Sequence, residues 1–233
     1  MVEIQSDVPR RGRGRPQARS DEETRALILE AAAQEFQANG YKATCIAAVA
    51  ERAGVSTKTL YRLIPTKAEL FGGVFSDRIG RFVLEVDLNA LDSMNAETAL
   101  ERMLMHFGTL TLAPRTIALT RLAIGESRAF PEVGAAFFKM AIERTSLAME
   151  DGLRRLCARG LVSVDDPGEA VSMLRGMMIM EPQRAAMLGQ REPPDAAEIA
   201  AWAKRCARIF LEGCAVRGSA TSQAAKPRAH APD

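Results

Sequence analysis

Basic and hydroxyl-bearing side chains are concentrated between residues 42 and 67, and both types bind DNA. Five basic residues in this stretch face a single acidic one, Glu51, although the formal net charge of the whole chain is only +2. Lysine and arginine pair with phosphates, lysine also donates to guanine edges, and hydroxyl groups bind either. The stretch therefore predicts a local nucleic-acid surface. The candidate DNA-binding residues are Thr44, Ser56, Thr57, Lys58, Thr59, Tyr61, Arg62 and Lys67.

Two short helices joined at Gly54 would position these side chains. Glycine supplies the positive φ of a tight turn, and the small Ala50 lets two helices cross closely. Thr44 is expected to cap the first helix and Ser56 the second. The pattern predicts a helix-turn-helix over residues 44–63. Its apolar core positions are Val49, Ala53, Val55, Leu60 and Leu63.

The second helix of such a motif enters the major groove by its N-terminal end. Thr57 and Lys58 lie deepest at that end, so we expect them to read bases. Phosphate contacts are expected from the remaining hydroxyl and basic groups of the motif. These are Thr44, Ser56, Tyr61 and Arg62, with Lys67 adding one more at the start of a fourth helix.

The two ends of the chain are polar and rich in Gly, Pro or Ser, which predicts disorder for residues 1–19 and 218–233. Five arginines make the first segment a basic arm. It could follow the DNA backbone or reach into the minor groove, or it could be only a tail. Between the ends we expect a DNA-binding domain over 20–70 and a regulatory domain over 71–217.

The composition predicts an all-α fold, because Ala, Leu and Met carry the apolar content and few stretches alternate with period two. Capping boxes begin at Ser20 and Thr66, and Asp166 and Asp195 have the surroundings of N-caps. The bend expected at Glu181-Pro182 follows from the missing proline N–H. Helices are expected at about 20–39, 44–54, 56–64, 66–82, 95–113, 115–128, 131–159, 167–188 and 195–215.

Several classes of protein are disfavoured. The four cysteines form no CxxC pair and there are two histidines, so we expect no metal site and a reducing cytoplasm. No apolar run approaches the ~20 residues that span a bilayer, and the polar N-terminus does not resemble a signal peptide. No catalytic motif is present, so we expect neither an enzyme nor a cofactor.

Residues 31–71 resemble the TetR/AcrR family of bacterial regulators. The matching positions are Phe36, Gly40-Tyr41, Thr44, Val49-Ala50, Ala53-Gly54-Val55-Ser56, Leu60-Tyr61, Pro65, Lys67 and Leu70-Phe71. Residues 130–177 resemble the regulatory domain of the subgroup with efflux-pump and stress-response repressors. The resemblance implies an Ω-shaped all-α homodimer with a three-helix head and a ligand-binding body. It also implies dimerisation through helices at about 167–188 and 195–215.

The body is rich in methionine, which repacks easily and suits promiscuous apolar pockets. Plain core packing explains methionine and phenylalanine at helical spacing equally well. With the family resemblance as a guide, the candidate ligand-binding residues are Met103, Phe107, Phe137, Met140 and Met177.

The leading interpretation is a cytoplasmic, nucleoid-associated repressor that binds a palindromic double-stranded operator as a dimer. A small apolar or amphipathic effector would release it. One alternative is a redox-responsive regulator that uses Cys206 and Cys214. Eight residues separate them by roughly 12 Å along a helix, so only a disulfide between subunits is feasible. The other alternative is a constitutive DNA-binding protein without an effector.

Overall fold

A computed structural model describes residues 19–85 and 91–214, and in this part of the chain the regular structure is entirely helical. The all-α expectation is therefore confirmed. The basic arm, except for Arg19, and the tail from 218 lie outside the described residues. The helices are α1 (Asp21–Ala43), α2 (Ile46–Ala53), α3 (Thr57–Leu63), α4 (Lys67–Glu85), α5 (Ala96–Thr111), α6 (Pro114–Glu126), α7 (Pro131–Phe137), α8 (Arg144–Ala158), α9 (Pro167–Met187) and α10 (Ala196–Cys214). A π-helical segment, Phe138–Glu143, joins α7 to α8.

Local capping determines several helix starts as the sequence predicts. The backbone N–H of Glu23 donates to Ser20 Oγ at 3.1 Å, and the N–H of Ser20 donates to Glu23 Oε2 at 2.8 Å. Asp195 and Glu198 form the same reciprocal pair at the start of α10. Asp166 Oδ1 accepts two backbone N–H groups at the start of α9. Each such cap is worth about 1 kcal/mol.

Two interior details differ from the expected helices, and a third agrees with them. Gly40 has a φ of +74° and kinks α1, but the helix resumes and continues to Ala43. The helix expected over 131–159 contains the π-helical segment, and the hydroxyl of Thr145 in α8 donates to two backbone carbonyl oxygens of that segment. Pro182 is buried inside α9, which continues past it because the remaining backbone bonds and the packing hold the helix.

An ion pair between half-exposed Arg52 and buried Glu35 fixes α2 on α1. Glu35 is only 6% exposed, and its carboxylate accepts from Arg52 Nε at 2.7 Å and from Asn39 Nδ2 at 2.9 Å. A buried carboxylate is tolerated when it is paired and hydrogen-bonded in this way. The pair therefore holds the first helix of the helix-turn-helix in place.

The described residues form two hydrophobic cores, and α4 contributes to both. The first combines α1–α4 with Leu119 and Ala123 of α6 and Val133 of α7. The second combines Phe82 at the end of α4 with side chains of α5, α8, α9 and α10. Side chains of α4 as far as Ile79 belong to the first core. The division expected near residue 70 thus falls inside a continuous helix and a continuous core.

Candidate DNA-binding surface and ligand cavity

The turn between α2 and α3 has the geometry that its glycine predicts. Gly54 has φ +67° and ψ +37°, which is the left-handed region. The N–H of Val55 donates to Ala50 O at 2.9 Å, and that of Gly54 donates to Glu51 O at 3.0 Å. This is the Schellman pattern of a helix C-terminus. Val49, Ala50, Ala53 and Leu60 are buried, and the predicted helix-turn-helix is confirmed.

The outer side of α3 presents polar side chains to solvent. Thr57 and Lys58 are exposed, and Tyr61 is half exposed. In the described part of the chain, Lys58 and Tyr61 form no hydrogen bond or ion pair, so both are available to a partner. Ser56 caps the helix, because its Oγ accepts from the backbone N–H of Thr59 at 3.1 Å.

Arg62 makes an exposed ion pair. Its two terminal nitrogens donate to the carboxylate of Asp21 at 2.8 and 2.7 Å, and this partner lowers the pKa of Asp21. Exposed pairs contribute little to stability. A phosphate could therefore replace Asp21 as the partner of Arg62.

Lys67 joins the end of α1 to the start of α4. Its Nζ donates to Thr44 O at 2.6 Å and to Lys42 O at 3.2 Å, and it lies 4.9 Å from the centroid of the Tyr41 ring. Partial burial lowers the pKa of Lys67. The ammonium group thus satisfies carbonyl groups that the helix end leaves without partners.

Thr44 does not cap α2, and that expectation was wrong. Cys45 occupies the N-cap position and makes no side-chain capping bond. The Thr44 side chain is buried, and its hydroxyl donates to Gly40 O at 2.6 Å and Glu35 O at 3.1 Å. It stabilises the kinked end of α1, and its hydroxyl is oriented inwards.

An apolar cavity of about 180 Å³ lies in the body. Its size slightly exceeds that of an apolar cavity of about 150 Å³ that holds one benzene molecule. Side chains of α4, α5, α6, α7, the π-helical segment, α8 and α9 line it. They are Val74, Phe75, Ile79, Leu110, Thr111, Thr116, Leu119, Thr120, Ile124, Phe137, Ala141, Ile142, Thr145, Arg175, Ile179 and Gln183.

Of the residues predicted for the ligand, Phe137 is the one placed in the wall of this cavity. Met103 and Phe107 are completely buried in the second core. Met140 packs against Gly72 of α4, where an added Cβ would lie 3.3 Å from Met140 Cγ. Met177 lies in a separate groove between α9 and α10. The structure thus does not bring the five residues together.

Arg175 is a cavity residue that the sequence did not single out. It lies on α9 within the stretch AVSMLRGMMIM, residues 170–180, where it is the charged residue among apolar neighbours. Its position as the charged residue in an apolar stretch could have marked Arg175 as a candidate functional residue, because burying a charge is costly unless it has a partner.

In residues 19–85 and 91–214, no group of three or more metal-ligating side chains lies together. Nor does this part of the chain contain a helix that is long and apolar enough to cross a membrane. Cys206 is buried, its pKa is raised by that burial, and the side chain of Cys214 lies outside the described part.

A helix-turn-helix with an exposed polar helix, set on an all-α body that contains an apolar cavity, defines a DNA-binding transcriptional regulator. Two family models match the chain. Residues 28–74 match the bacterial regulatory proteins of the tetR family, and residues 98–213 match the C-terminal domain of AefR-like transcriptional repressors. The chain belongs to the TetR family of transcriptional regulators.

Three relatives of this chain have sequence identities of 18–24% to it. The fatty acid metabolism regulator protein of Bacillus subtilis (strain 168) is 24% identical over 101 residues, which are 43% of this chain and about half, 52%, of that relative. A TetR-family regulator from Mesorhizobium loti has a TM-score of 0.73 at 24% identity and covers 84% of this chain and 99% of its own. FadR from Bacillus subtilis, solved with stearoyl-CoA, has a TM-score of 0.64 at 18% identity, covering 81% and 98%. These structures support the fold.

Proposed function

We propose that the protein is a repressor that binds a palindromic operator as a homodimer and is released by a small apolar or amphipathic ligand. The observation that carries this proposal is the position of α4. Phe71 of α4 packs against Phe36 of α1 in the head, with ring centroids 5.2 Å apart. One turn later, Val74 and Phe75 form part of the cavity wall. A ligand that prefers one position of α4 would therefore bias the orientation of the head.

Exposed apolar side chains on α9 and α10 support the proposed dimer. Met173 and Met180 are 64% and 60% exposed, and Trp202 and Ile209 are 37% and 55% exposed. Each pair is seven residues apart, which places both members on one side of their helix. A second copy that presents the same two helices would cover this apolar face, as a two-fold interface requires.

The expected dimer can be tested with charged substitutions. Met180→Asp combined with Ile209→Asp should weaken dimerisation at least about tenfold, because each carboxylate would be buried without a partner. Mass measured by light scattering across a dilution series would report it. Leu147→Asp, at an exposed position on α8, is the control and should leave the dimer intact. A double variant that dimerises as tightly as the unchanged protein would exclude this interface.

Under this proposal the protein acts on the chromosome in the bacterial cytoplasm. The proposed function includes no catalytic step. Relatives suggest the first ligands to try, since one was solved with stearoyl-CoA and another is described as a flavonoid-responsive regulator. We expect that compounds which raise the thermal unfolding temperature will also release the protein from its operator.

An operator can be obtained by selecting random-sequence DNA with the protein, and release measured by gel shift at fixed salt. Fatty acids, acyl-CoA thioesters and flavonoids form the first set of compounds. If a compound occupies the cavity and operator affinity stays unchanged, the effector part of the proposal is overturned in favour of a constitutive DNA-binding protein.

A further inference from the structure

One wall of the cavity carries a positive charge that the described residues do not neutralise. Arg175 of α9 lines the cavity, and the other described lining residues are uncharged. Its Nη1 donates to Ser146 Oγ, and its guanidinium carbon lies 5.2 Å from the centroid of the Phe107 ring. Its Nε is buried and has no hydrogen-bond partner among the residues that the structure describes. The guanidinium group of Arg175 thus keeps a donor without a partner among the described residues.

Holding this partly buried guanidinium group without an anion is unfavourable. Burial lowers the pKa of Arg175, but arginine remains charged in proteins. Ser146 is a neutral acceptor and the Phe107 ring supplies only a quadrupole, so neither compensates a full charge. Because Arg175 stays charged without a compensating group beside it, the cavity favours a ligand that carries a negative charge.

Three other polar groups of the cavity wall already donate to backbone carbonyl oxygens and do not compete for such an anion. The hydroxyl of Thr111 donates to Phe107 O at 2.7 Å, and that of Thr145 donates to Ala141 O at 2.7 Å. Gln183 Nε2 donates to Thr111 O at 3.3 Å. The wall therefore combines an extensive apolar surface with one positive donor, which matches an amphipathic anion.

We propose that the effector is a small amphipathic carboxylate whose charged end pairs with Arg175 and whose apolar end lies among Val74, Phe75 and Phe137. This inference rests on the proposed function and names the chemical class of its ligand. The planar guanidinium fork matches a carboxylate. The cavity volume, about 180 Å³, fits an aromatic acid or a medium-chain aliphatic acid.

The test compares acids with neutral molecules of the same shape. Octanoate and octanamide form one pair, benzoate and benzamide the other, and octanoyl-CoA shows whether a thioester can replace the free acid. Calorimetric titration of the full chain at pH 7.5 should show each acid binding about 10- to 100-fold more tightly than its amide. A preference confined to one pair identifies the source as aliphatic or aromatic.

Two substitutions separate charge from packing. Arg175→Gln should bring the acid-to-amide ratio close to one, while Arg175→Lys should keep most of the preference. Without ligand, Arg175→Gln should unfold at the same or a higher temperature, because a partly buried charge has been removed. That measurement also shows that the variant is folded.

The outcomes distinguish this inference from the function on which it rests. If amides bind as tightly as acids to the unchanged protein, the carboxylate is wrong and a neutral effector remains. If no acid binds but another compound releases the operator, this ligand class is excluded and the repressor function stands. Tighter binding of octanoyl-CoA than of octanoate would overturn pairing of a free acid with Arg175.

Discussion

Replacing Lys58 or Tyr61 with alanine should weaken operator binding at least about tenfold and leave the thermal unfolding temperature unchanged. A contact to a base edge or phosphate is worth about 1–3 kcal/mol, and the proposed dimer makes each contact twice. Two such contacts together are worth about 2–6 kcal/mol, so the loss on an operator with two half-sites should be about 30-fold or more. Neither side chain makes a hydrogen bond or ion pair within the described structure, so the fold loses little when either is removed.

The two variants should fail in different ways. Loss of a base reader at Lys58 should relax the preference for the selected operator over random DNA, whereas loss of a phosphate contact at Tyr61 should weaken both about equally. Measuring DNA affinity at several salt concentrations separates the contribution of phosphate contacts to binding from that of base contacts. Lys139→Ala, an exposed lysine in the body, is the control and should bind as the unchanged protein does. Unchanged affinity in both head variants would refute the assignment of α3 as the recognition helix.

The helix-turn-helix was predictable because its signals are local. The cap at Ser56 and the turn at Gly54 each involve atoms within five residues of each other along the chain. The body helices were predictable for the same reason, and α9 and α10 lie within a residue or two of the expected bounds. Hydrogen bonds at this range depend little on the rest of the fold.

The roles of Thr44 and Lys67 were less predictable because they depend on contacts between residues nine or more positions apart in the chain. Lys67 is 23 residues from the Thr44 carbonyl that it binds, and Thr44 reaches back to Glu35. Residue type alone suggested phosphate contacts for both, since hydroxyl and ammonium groups commonly make them. Their positions in the structure assign them first to the junction of α1 and α4.

Cavity and core residues could not be separated by sequence because both are apolar at helical spacing. Phe107 and Phe137 have the same side chain, but the first is completely buried in the second core and the second lines the cavity. Whether each ring is buried or lines the cavity depends on side chains of other helices, which are far from it in sequence. Arg175 shows the opposite problem. Arginine is usually a surface residue, so its residue type alone did not indicate that this side chain lines a cavity.

A chain of aromatic rings connects the head with the cavity. Tyr41 of α1 contacts Phe71 of α4, Phe71 contacts Phe75, and Phe75 contacts Phe137 in the cavity wall, with centroid distances of 5.1–5.7 Å. Burial and the neighbouring Glu132 raise the pKa of Tyr41 to about 12, so its phenol stays neutral within this packing. Displacement of Phe75 or Phe137 by a ligand would therefore be transmitted to α1 through closely packed rings.

Phe71 lies in the middle of this series of aromatic rings. Phe71→Ala should lower the free energy of unfolding by about 3–5 kcal/mol. The ring is completely buried, so its removal would leave a cavity between α1 and α4. Denaturant unfolding at one protein concentration measures the loss. Phe138→Ala is the matched control, since that ring is 57% exposed and its removal should cost well under half as much.

Phe71→Leu separates stability from coupling. Leucine fills most of the volume, so the fold should persist, but the edge-to-face contacts with Phe36 and Tyr41 are lost. If the ring transmits the ligand signal, this variant should bind operator and ligand normally and be released less readily.

Equal losses of stability for Phe71→Ala and Phe138→Ala would show that α1 and α4 can close around the gap. In that case the rigid connection from cavity to head would have to lie elsewhere.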